Sequence, residues 1–202
     1  LVQSQIVNDL RHEFDPDWNR RCVWDRGYRE SRTPSSPAML LELLSHQNFA
    51  DMKYGLDPSF RFTVSRAIYK GMLKYLSNRY GVRYTVQPLP VSSMGAAFGN
   101  DGKAVISWTE TVDEVEPTAV PAGFILHTRI DNGGFDNGKV VKAVKGADGR
   151  YSVEVPFEKG HIYSYRVTAY NDGGKSFPSE TLSIGMPEGC DNNRKVLIVN
   201  NF

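Results

Sequence analysis

Apolar residues near the start of the chain recur at helical spacing. They are Ile6, Val7, Leu10 and Phe14, which fall on one face of a helix. Asp15-Pro16 follows directly, and a proline at this point ends a helix because its ring clashes with the preceding turn. The pattern therefore predicts an amphipathic helix that ends near residue 14.

A second helix is predicted after Asp57-Pro58, because aspartate is a favoured N-cap and proline is tolerated in the first helical turn. The positions that continue at helical spacing are Val64, Ala67, Ile68, Gly71, Met72 and Tyr75. Gly81 is placed to end this helix at the position where glycine is favoured.

Between the helices lies the apolar run Ala38-Met39-Leu40-Leu41-Glu42-Leu43-Leu44, bounded by Pro37 and Ser45. A run this short suits a buried strand better than a helix. The first part of the chain thus predicts helix, loop, buried strand and helix, which is a fragment of an α/β layer structure.

After Gly81 the pattern changes to short β-rich runs separated by turn signals such as Asn137-Gly138 and Asp148-Gly149. The predicted strands are Lys103–Thr109, Gly123–Ile130, Lys139–Val144, Tyr151–Val155, Tyr163–Tyr170 and Glu180–Ile184. Short strands with regular turns over about 105 residues predict an all-β sandwich of the immunoglobulin type.

We divide the chain into 1–81, 82–187 and 188–202. The last range is a polar linker followed by Val196-Leu197-Ile198-Val199, which suits the first strand of a following domain. The chain also starts inside an amphipathic pattern, so we expect a segment of a larger multidomain protein. The leucines of the 38–44 run are then expected to be covered by an upstream segment, by a second chain or by helices packed over the strand.

Composition narrows the function classes. With 24 basic and 23 acidic residues the net charge is +1, which argues against a dedicated nucleic-acid binder. No apolar run approaches the roughly 20 residues that a membrane helix needs. Cys22 and Cys190 are the two cysteines of the sequence, and they form neither a disulfide framework nor a CxxC metal site, so two unpaired thiols are expected.

The stretch from Gly160 to Glu180 carries a spaced pattern. Its members are Tyr163, Tyr165, Val167, Ala169, Asn171, Gly174, Ser176, Pro178 and Ser179. The pattern resembles the last two strands of fibronectin type III domains, and Trp108 stands where that family keeps a core tryptophan. The resemblance covers residues 84–187 and implies a spacer or binding module, with Tyr163 hydrogen-bonded to a nearby backbone group as a tyrosine corner.

No catalytic constellation is visible in this β-rich part. His127 and His161 stand alone on predicted strands or strand edges, so structural or solvent-exposed roles are expected. Phe135 and Tyr151 could stack on the face of a sugar, and ordinary packing at the surface or at a sheet edge is the alternative.

Glu42 is the principal candidate for chemistry, because an ionised carboxylate is costly to bury without a partner. It could lie on the solvent side of an edge strand or helix, or pair with one of the arginines between Arg20 and Arg32. A third possibility is a carboxylate at a strand end that acts as a general acid or base.

A wider pattern surrounds Glu42. It comprises Pro37 to Glu42, Asn48, Asp51, Phe60, Arg61, Val64, Ala67, Ile68, Gly71 and Tyr75, with Ser4 to Leu10 and Arg26 to Arg32 upstream. This pattern resembles the C-terminal part of zinc-dependent N-acetylmuramoyl-L-alanine amidases over residues 1–80. By that resemblance Glu42 matches the family's catalytic glutamate, which takes a proton from zinc-bound water.

The chain departs from that family at several positions. Leu44-Ser45 replaces Gly-Phe, and Gln47 replaces a serine. The family's zinc ligands lie N-terminal to the matched stretch, and His12 and His46 do not stand in for them. We therefore expect no zinc binding and no peptidoglycan hydrolysis by this chain alone.

Two hypotheses follow, and they leave open whether the whole protein is an enzyme. The first is part of a bacterial cell-wall amidase with a fibronectin type III spacer, acting on peptidoglycan outside the cell, at its surface or in the periplasm. The second is a non-catalytic scaffold or carbohydrate-binding segment of a polysaccharide-active surface protein of the kind labelled xanthan lyase.

Overall fold

A computed structural model of the chain describes residues 1–189, and the chain separates into two compact units, Leu1–Tyr84 and Thr85–Phe202. The first unit is helical and the second consists of antiparallel sheets. The two helices predicted in the first part and the immunoglobulin-like sandwich predicted after them are thus confirmed. The predicted strand at 196–199 lies outside the described residues, and the predicted limits 1–81, 82–187 and 188–202 stay predictions.

The helical unit contains four helices within the described residues. They are α1 (Val2–Glu13), α2 (Arg29–Arg32), α3 (Phe49–Gly55) and α4 (Pro58–Tyr80). The ends of α4 follow the sequence signals, since the Asp57 carboxylate accepts a hydrogen bond from the Ser59 backbone N–H at 2.8 Å. Gly81 ends the helix in the left-handed conformation, with φ 67°.

Helices α1 and α4 pack directly on each other. Their buried apolar residues are Ile6, Leu10, Phe60, Val64 and Ala67. Gly71 permits the close approach, because a Cβ atom there would lie 2.7 Å from the Cα of Val2. None of the described helices is long and apolar enough to cross a bilayer.

A buried polar network also joins these two helices. The Lys70 ammonium lies 2.7 Å from the Asp9 carboxylate, and both residues are almost fully buried. Gln5 donates to the other Asp9 oxygen at 2.7 Å and accepts from Lys74 Nζ at 2.7 Å. A buried charge that loses its partner is strongly destabilising, so this network ties the register of α1 to that of α4.

The predicted buried strand at 38–44 is wrong, because this segment has no regular secondary structure. Met39, Leu40 and Leu41 are exposed, whereas Leu43 and Leu44 pack against the helical core. A strand needs a hydrogen-bonded neighbour, and the described part of the first unit contains no other strand to provide one.

Helix α3 was not predicted. It begins after Asn48, whose side-chain oxygen accepts from the Ala50 backbone N–H at 2.9 Å. At seven residues the helix is too short for its apolar spacing to stand out in the sequence.

Between residues 85 and 189 the second unit contains nine short strands. They are β1 (Ser92–Phe98), β2 (Lys103–Thr109), β3 (Gly123–Ile130), β4 (Lys139–Val141), β5 (Val144–Lys145), β6 (Tyr151–Pro156), β7 (Ile162–Asn171), β8 (Gly174–Lys175) and β9 (Leu182–Gly185). One sheet has the order β1-β2-β6-β5, and the other has the order β4-β3-β7-β8, with β9 also paired to β7. Every pairing is antiparallel, as in an immunoglobulin-like sandwich.

Trp108 lies at the centre of the sandwich core and is fully buried, as predicted. Its ring contacts Phe124 with centroids 5.2 Å apart, and Phe124 in turn contacts Tyr151 at 4.7 Å. Side chains from both sheets thus meet around one aromatic cluster, which closes the core.

The spaced pattern in β7 and the turn after it is explained by internal hydrogen bonds. Asn171 Nδ2 donates to the carbonyl groups of Val86 (2.9 Å), Thr118 (3.2 Å) and Val120 (3.2 Å). The hydroxyls of Ser176 and Ser179 accept from the backbone N–H groups of Ala169 (3.0 Å) and Val167 (2.9 Å). These polar residues hold β7 and the adjoining loops together.

Tyr163 is buried beside Tyr165, with the two rings stacked and their centroids 6.2 Å apart. The expected hydrogen bond from its hydroxyl to a nearby backbone group is absent from the described part of the chain. Tyr163 therefore contributes to the core through its ring.

Candidate functional site

Glu42 lies at the surface, in the irregular segment that precedes α3. Its carboxylate makes no hydrogen bond or ion pair with any residue from 1 to 189, so the arginines between Arg20 and Arg32 do not neutralise it. Of the alternatives left open by the sequence, the solvent-exposed position describes Glu42 in this chain. Its assignment as a catalytic residue stays a prediction.

The turn after Leu44 is fixed by Asp51, whose carboxylate accepts from the Ser45 backbone N–H at 2.8 Å. His46 is exposed, and His12 Nδ1 lies 3.0 Å from Glu13 Oε1. Across the described residues, no three His, Cys, Asp or Glu side chains are grouped so that they could hold a metal ion. These residues therefore do not form a zinc site by themselves.

The segment from 38 to 44 presents unpaired backbone to its surroundings. None of its N–H or C=O groups forms a hydrogen bond with another described residue. The exposed side chains of Met39, Leu40 and Leu41 lie along the same stretch. Unpaired backbone groups beside apolar side chains are the features of a strand edge.

In the second unit, a basic cluster lies on the outer face of the β3–β7 sheet. The guanidinium carbon of Arg166 is 4.1 Å from the ring centroid of Phe135, and that of Arg129 is 5.2 Å from the same centroid. Phe135 is half-buried by these contacts. Tyr151, the other candidate for sugar stacking, packs inward against Phe124.

The two histidines of the β-rich part have local roles. His161 Nδ1 lies 2.8 Å from Asp131 Oδ2, and this hydrogen bond raises the pKa of His161. The pKa of Asp131 is lowered, first by the hydrogen bond from the Ile162 backbone N–H and then by the one from His161. His127 lies within hydrogen-bonding distance of the Thr168 hydroxyl, at 3.3 Å.

A cleft of about 510 Å³ opens between the two sheets, lined mainly by apolar side chains together with Thr128, Lys139 and Tyr165. The Tyr165 hydroxyl is buried without a hydrogen-bond partner in the described residues, and burial raises its pKa to about 12. At the rim, Asp136 Oδ1 accepts from the backbone N–H groups of Thr128 and Gly138. Among the described residues that line this cleft there is no histidine, cysteine or glutamate.

Sequence reasoning singled out Phe135 but missed Arg129 and Arg166. All three come together only through the pairing of β3 with β7 and the loop that follows β3. The alternation of polar and apolar residues along both strands was the available signal, because it places the two arginines on the face away from the core.

Neither a protein-family profile nor a curated protein matches this chain. Among solved structures, the third fibronectin III domain of human KIAA0343 is 14% identical, covers 56% of this chain and 93% of its own, and has a TM-score of 0.40. The fourth FNIII domain of a human protein is 18% identical, with coverages of 55% and 91% and a TM-score of 0.39. The FN1–FN3 domains of chicken CNTN1 are 15% identical, with coverages of 50% and 33% and a TM-score of 0.39.

These similarities are too low to bear on activity or partners. The strand order and the tryptophan-centred core carry the assignment of the fold. The second unit is thus an antiparallel β-sandwich of the immunoglobulin type.

Proposed function

We propose that this chain is part of a bacterial cell-wall amidase, which hydrolyses the bond between N-acetylmuramic acid and L-alanine in peptidoglycan. The sandwich acts as a spacer, and the helical unit contributes the Glu42 segment to the catalytic domain. This function places the protein at the cell surface, in the periplasm or outside the cell. The observation that carries the proposal is the half-covered segment from 38 to 44.

That segment is anchored on one side only. Leu43 and Leu44 pack against the core of α1 and α4, while Met39, Leu40 and Leu41 remain exposed. A β-strand laid along the segment would bury these three side chains and would pair the free N–H and C=O groups. We infer that a sheet from another polypeptide segment, upstream or in a second chain, docks here.

Docking would change the surroundings of Glu42, which lies between Leu41 and Leu43. The carboxylate would pass from open water to the margin of a sheet, where it could accept a proton and return it to a leaving amine. No three metal-ligating side chains are grouped among the described residues, and in this proposal the metal-dependent step therefore belongs to residues other than these.

The test uses the full-length natural protein and measures release of stem peptide from purified peptidoglycan. Glu42→Gln should lower the rate by about 10²–10⁴-fold, as expected for loss of a general acid–base group. Glu30→Gln is the matched control, since Glu30 is an exposed carboxylate on α2, and it should leave the rate unchanged. Absence of amidase activity, or an unchanged rate in Glu42→Gln, would contradict the proposal.

A second candidate is a non-catalytic scaffold or carbohydrate-binding segment of a polysaccharide-active surface protein of the xanthan lyase type. Two observations favour it: Leu44-Ser45 replaces the Gly-Phe of the amidase pattern, and basic side chains cluster on the outer face of the sandwich. It predicts an inactive full-length protein that nevertheless retains a glycan.

A further inference from the structure

The register of β3 and β7 brings two arginines together on one face of their sheet. Arg129 lies opposite Ser164, and Arg166 lies opposite His127, so the arginines are diagonal neighbours. Diagonal Cα atoms of paired strands are about 7–8 Å apart, which is within reach of two long side chains. Leu126 and Val167 point to the core, so the arginines point away from it.

Phe135 holds both guanidinium groups in place. They lie 5.2 Å and 4.1 Å from the centroid of its ring, where the electron-rich face attracts cations. Arg129 Nη2 also donates to the Ser164 hydroxyl at 3.0 Å, and that hydroxyl lies 2.8 Å from the exposed Ser183 hydroxyl. The side chains are therefore ordered before any ligand arrives, which lowers the entropic cost of binding.

Neither arginine is neutralised. Among the described residues, no carboxylate oxygen lies within 4.0 Å of either guanidinium group. Two carboxylates in the same sheet region have other partners, since Asp131 binds His161 and the Ile162 N–H while Asp136 Oδ1 accepts from two backbone N–H groups. The Nε atoms of Arg129 and Arg166 are buried without a hydrogen-bond partner in the same residues.

Arginine stays charged throughout the physiological pH range, and its planar fork of N–H groups matches a carboxylate. We propose that Arg129 and Arg166 bind the carboxylate groups of an acidic, uronate-containing polysaccharide on the outer face of the sandwich. This names a ligand for the carbohydrate-binding alternative above and does not depend on amidase activity.

The surroundings favour a saccharide over an acidic peptide. Within residues 85–189, the two strands that carry the arginines, β3 and β7, are hydrogen-bonded on both sides, so neither can pair with a peptide backbone. The Phe135 ring is engaged by the arginines and offers no apolar pocket for a peptide side chain. An open face with two charges and a hydroxyl instead suits an extended chain of hydroxyls and carboxylates.

A nucleic acid fits less well, because its affinity depends on many cations along the backbone. Here the basic cluster consists of two arginines in a chain of net charge +1. The two arginines can therefore pair with two negative charges of a ligand, whereas a nucleic acid needs cations along a whole groove.

The test is calorimetric titration of the whole 202-residue chain with tetragalacturonate, and with its methyl ester as a neutral probe of the same shape. We expect saturable binding of the acid and at least about tenfold weaker binding of the ester, which loses the charge-assisted hydrogen bonds. Equal binding of the two probes would overturn the proposal, as would no binding of either.

Variants locate the site. Arg129→Gln and Arg166→Gln should each weaken binding of tetragalacturonate by about tenfold or more, and Arg166→Lys should fall between Arg166→Gln and the unchanged chain. Lys175→Gln removes one exposed charge from β8 and should change affinity by less than about twofold. Thermal melts show that each variant is folded, and undiminished binding by both glutamine variants would overturn the assignment.

Two further probes decide between ligand sources. If acetate binds as tightly as tetragalacturonate, the two arginines form a simple anion site. If poly-glutamate binds more tightly than tetragalacturonate, the ligand is an acidic peptide. Either result overturns the proposal. The assay contains no amidase readout, so loss of saccharide binding and loss of the proposed enzymatic function are separate outcomes.

Discussion

The two units close their hydrophobic cores to different degrees. In the sandwich, two sheets meet around Trp108, and buried residues extend through both layers. In the helical unit, the core lies between α1 and α4, while Phe49 and Leu56 around α3 are 82% and 74% exposed. A buried ion pair, Asp9 with Lys70, replaces apolar packing in part of the helical interface.

This difference indicates how each unit depends on its surroundings. The sandwich encloses its core between its own two sheets, so we expect it to be the more stable unit. The helical unit has a small core and exposes the segment from 38 to 44, so its stability should rise when that surface is covered. Separate unfolding transitions are therefore expected.

The largest effect should come from Trp108→Ala. Removing a large, fully buried ring leaves a cavity and should cost the sandwich about 3–5 kcal/mol. Denaturant unfolding should show a lower midpoint for the sandwich transition. The circular dichroism signal of the helices should still change at its original midpoint. Trp24→Ala, at an exposed position, is the control, and a shared shift of both transitions would contradict independent units.

In the helical unit, Lys70→Met should cost about 3 kcal/mol or more, because the Asp9 carboxylate would remain buried without its cation. The double variant Asp9→Leu with Lys70→Met should recover most of this loss, since an apolar pair of similar volume avoids the desolvation cost. Helical circular dichroism during denaturation gives the measurement. A double variant less stable than Lys70→Met would show that the ion pair is not what destabilises the single variant.

A smaller effect is expected at the start of α4. Asp57→Ala removes the side chain that accepts from the Ser59 N–H and should lower the stability of the helical unit by about 1 kcal/mol. Asp25→Ala removes an exposed carboxylate of the same unit and should have no comparable effect. If both variants behave alike, the cap does not contribute as the geometry indicates.

Leu40→Ser should change stability by less than about 0.5 kcal/mol, because the side chain is already exposed in this chain. Leu10→Ala provides the contrast, since this buried leucine should cost about 2–5 kcal/mol. A large loss from Leu40→Ser would mean that the segment is covered in solution.

The smallest effect concerns pH and the exposed His161–Asp131 pair. Because the pKa of His161 is raised in the folded state, the stability that His161 contributes is fully present below its pKa in the unfolded chain. This stability is lost as the pH rises through its pKa in the folded chain. Because the pKa of Asp131 is lowered in the folded state, the stability that Asp131 contributes is present above its pKa in the unfolded chain. This stability is lost as the pH falls through its pKa in the folded chain. The pair therefore stabilises the sandwich between the two folded pKa values.

Asp131→Asn should return the pKa of His161 toward its ordinary value, because the principal hydrogen bond and charge that raise it are removed. Proton NMR titration of the His161 imidazole signals in both chains measures the change. A pKa of His161 that does not fall would show that Asp131 is not its main partner.

Local signals in the sequence predicted the elements that depend on local chemistry. Asp57-Pro58 and Gly81 marked both ends of α4, because capping groups bond within one turn. The strand β1 was missed since Gly95 and the alanines beside it have little β-propensity, although pairing with β2 makes them a strand.

Non-local features could not be read in the same way. The 38–44 run has the composition of a buried strand, but whether it pairs depends on a partner elsewhere. Glu42 was found through a sequence pattern, and its exposure follows from the missing pairing. The meeting of Arg129, Arg166 and Phe135 requires the β3–β7 register and a loop conformation, which no single stretch of sequence specifies.

The hydrogen bonds of Asn171 have a mechanical consequence. The N–H of Val86 donates to the Thr118 hydroxyl at 3.0 Å, and its carbonyl accepts from Asn171 at the end of β7. A force applied to the chain just before Val86 would therefore be transmitted to β7, which is paired on both sides, before it reaches the edge strand β1. Such an anchor would let the sandwich bear tension without being peeled apart from its edge.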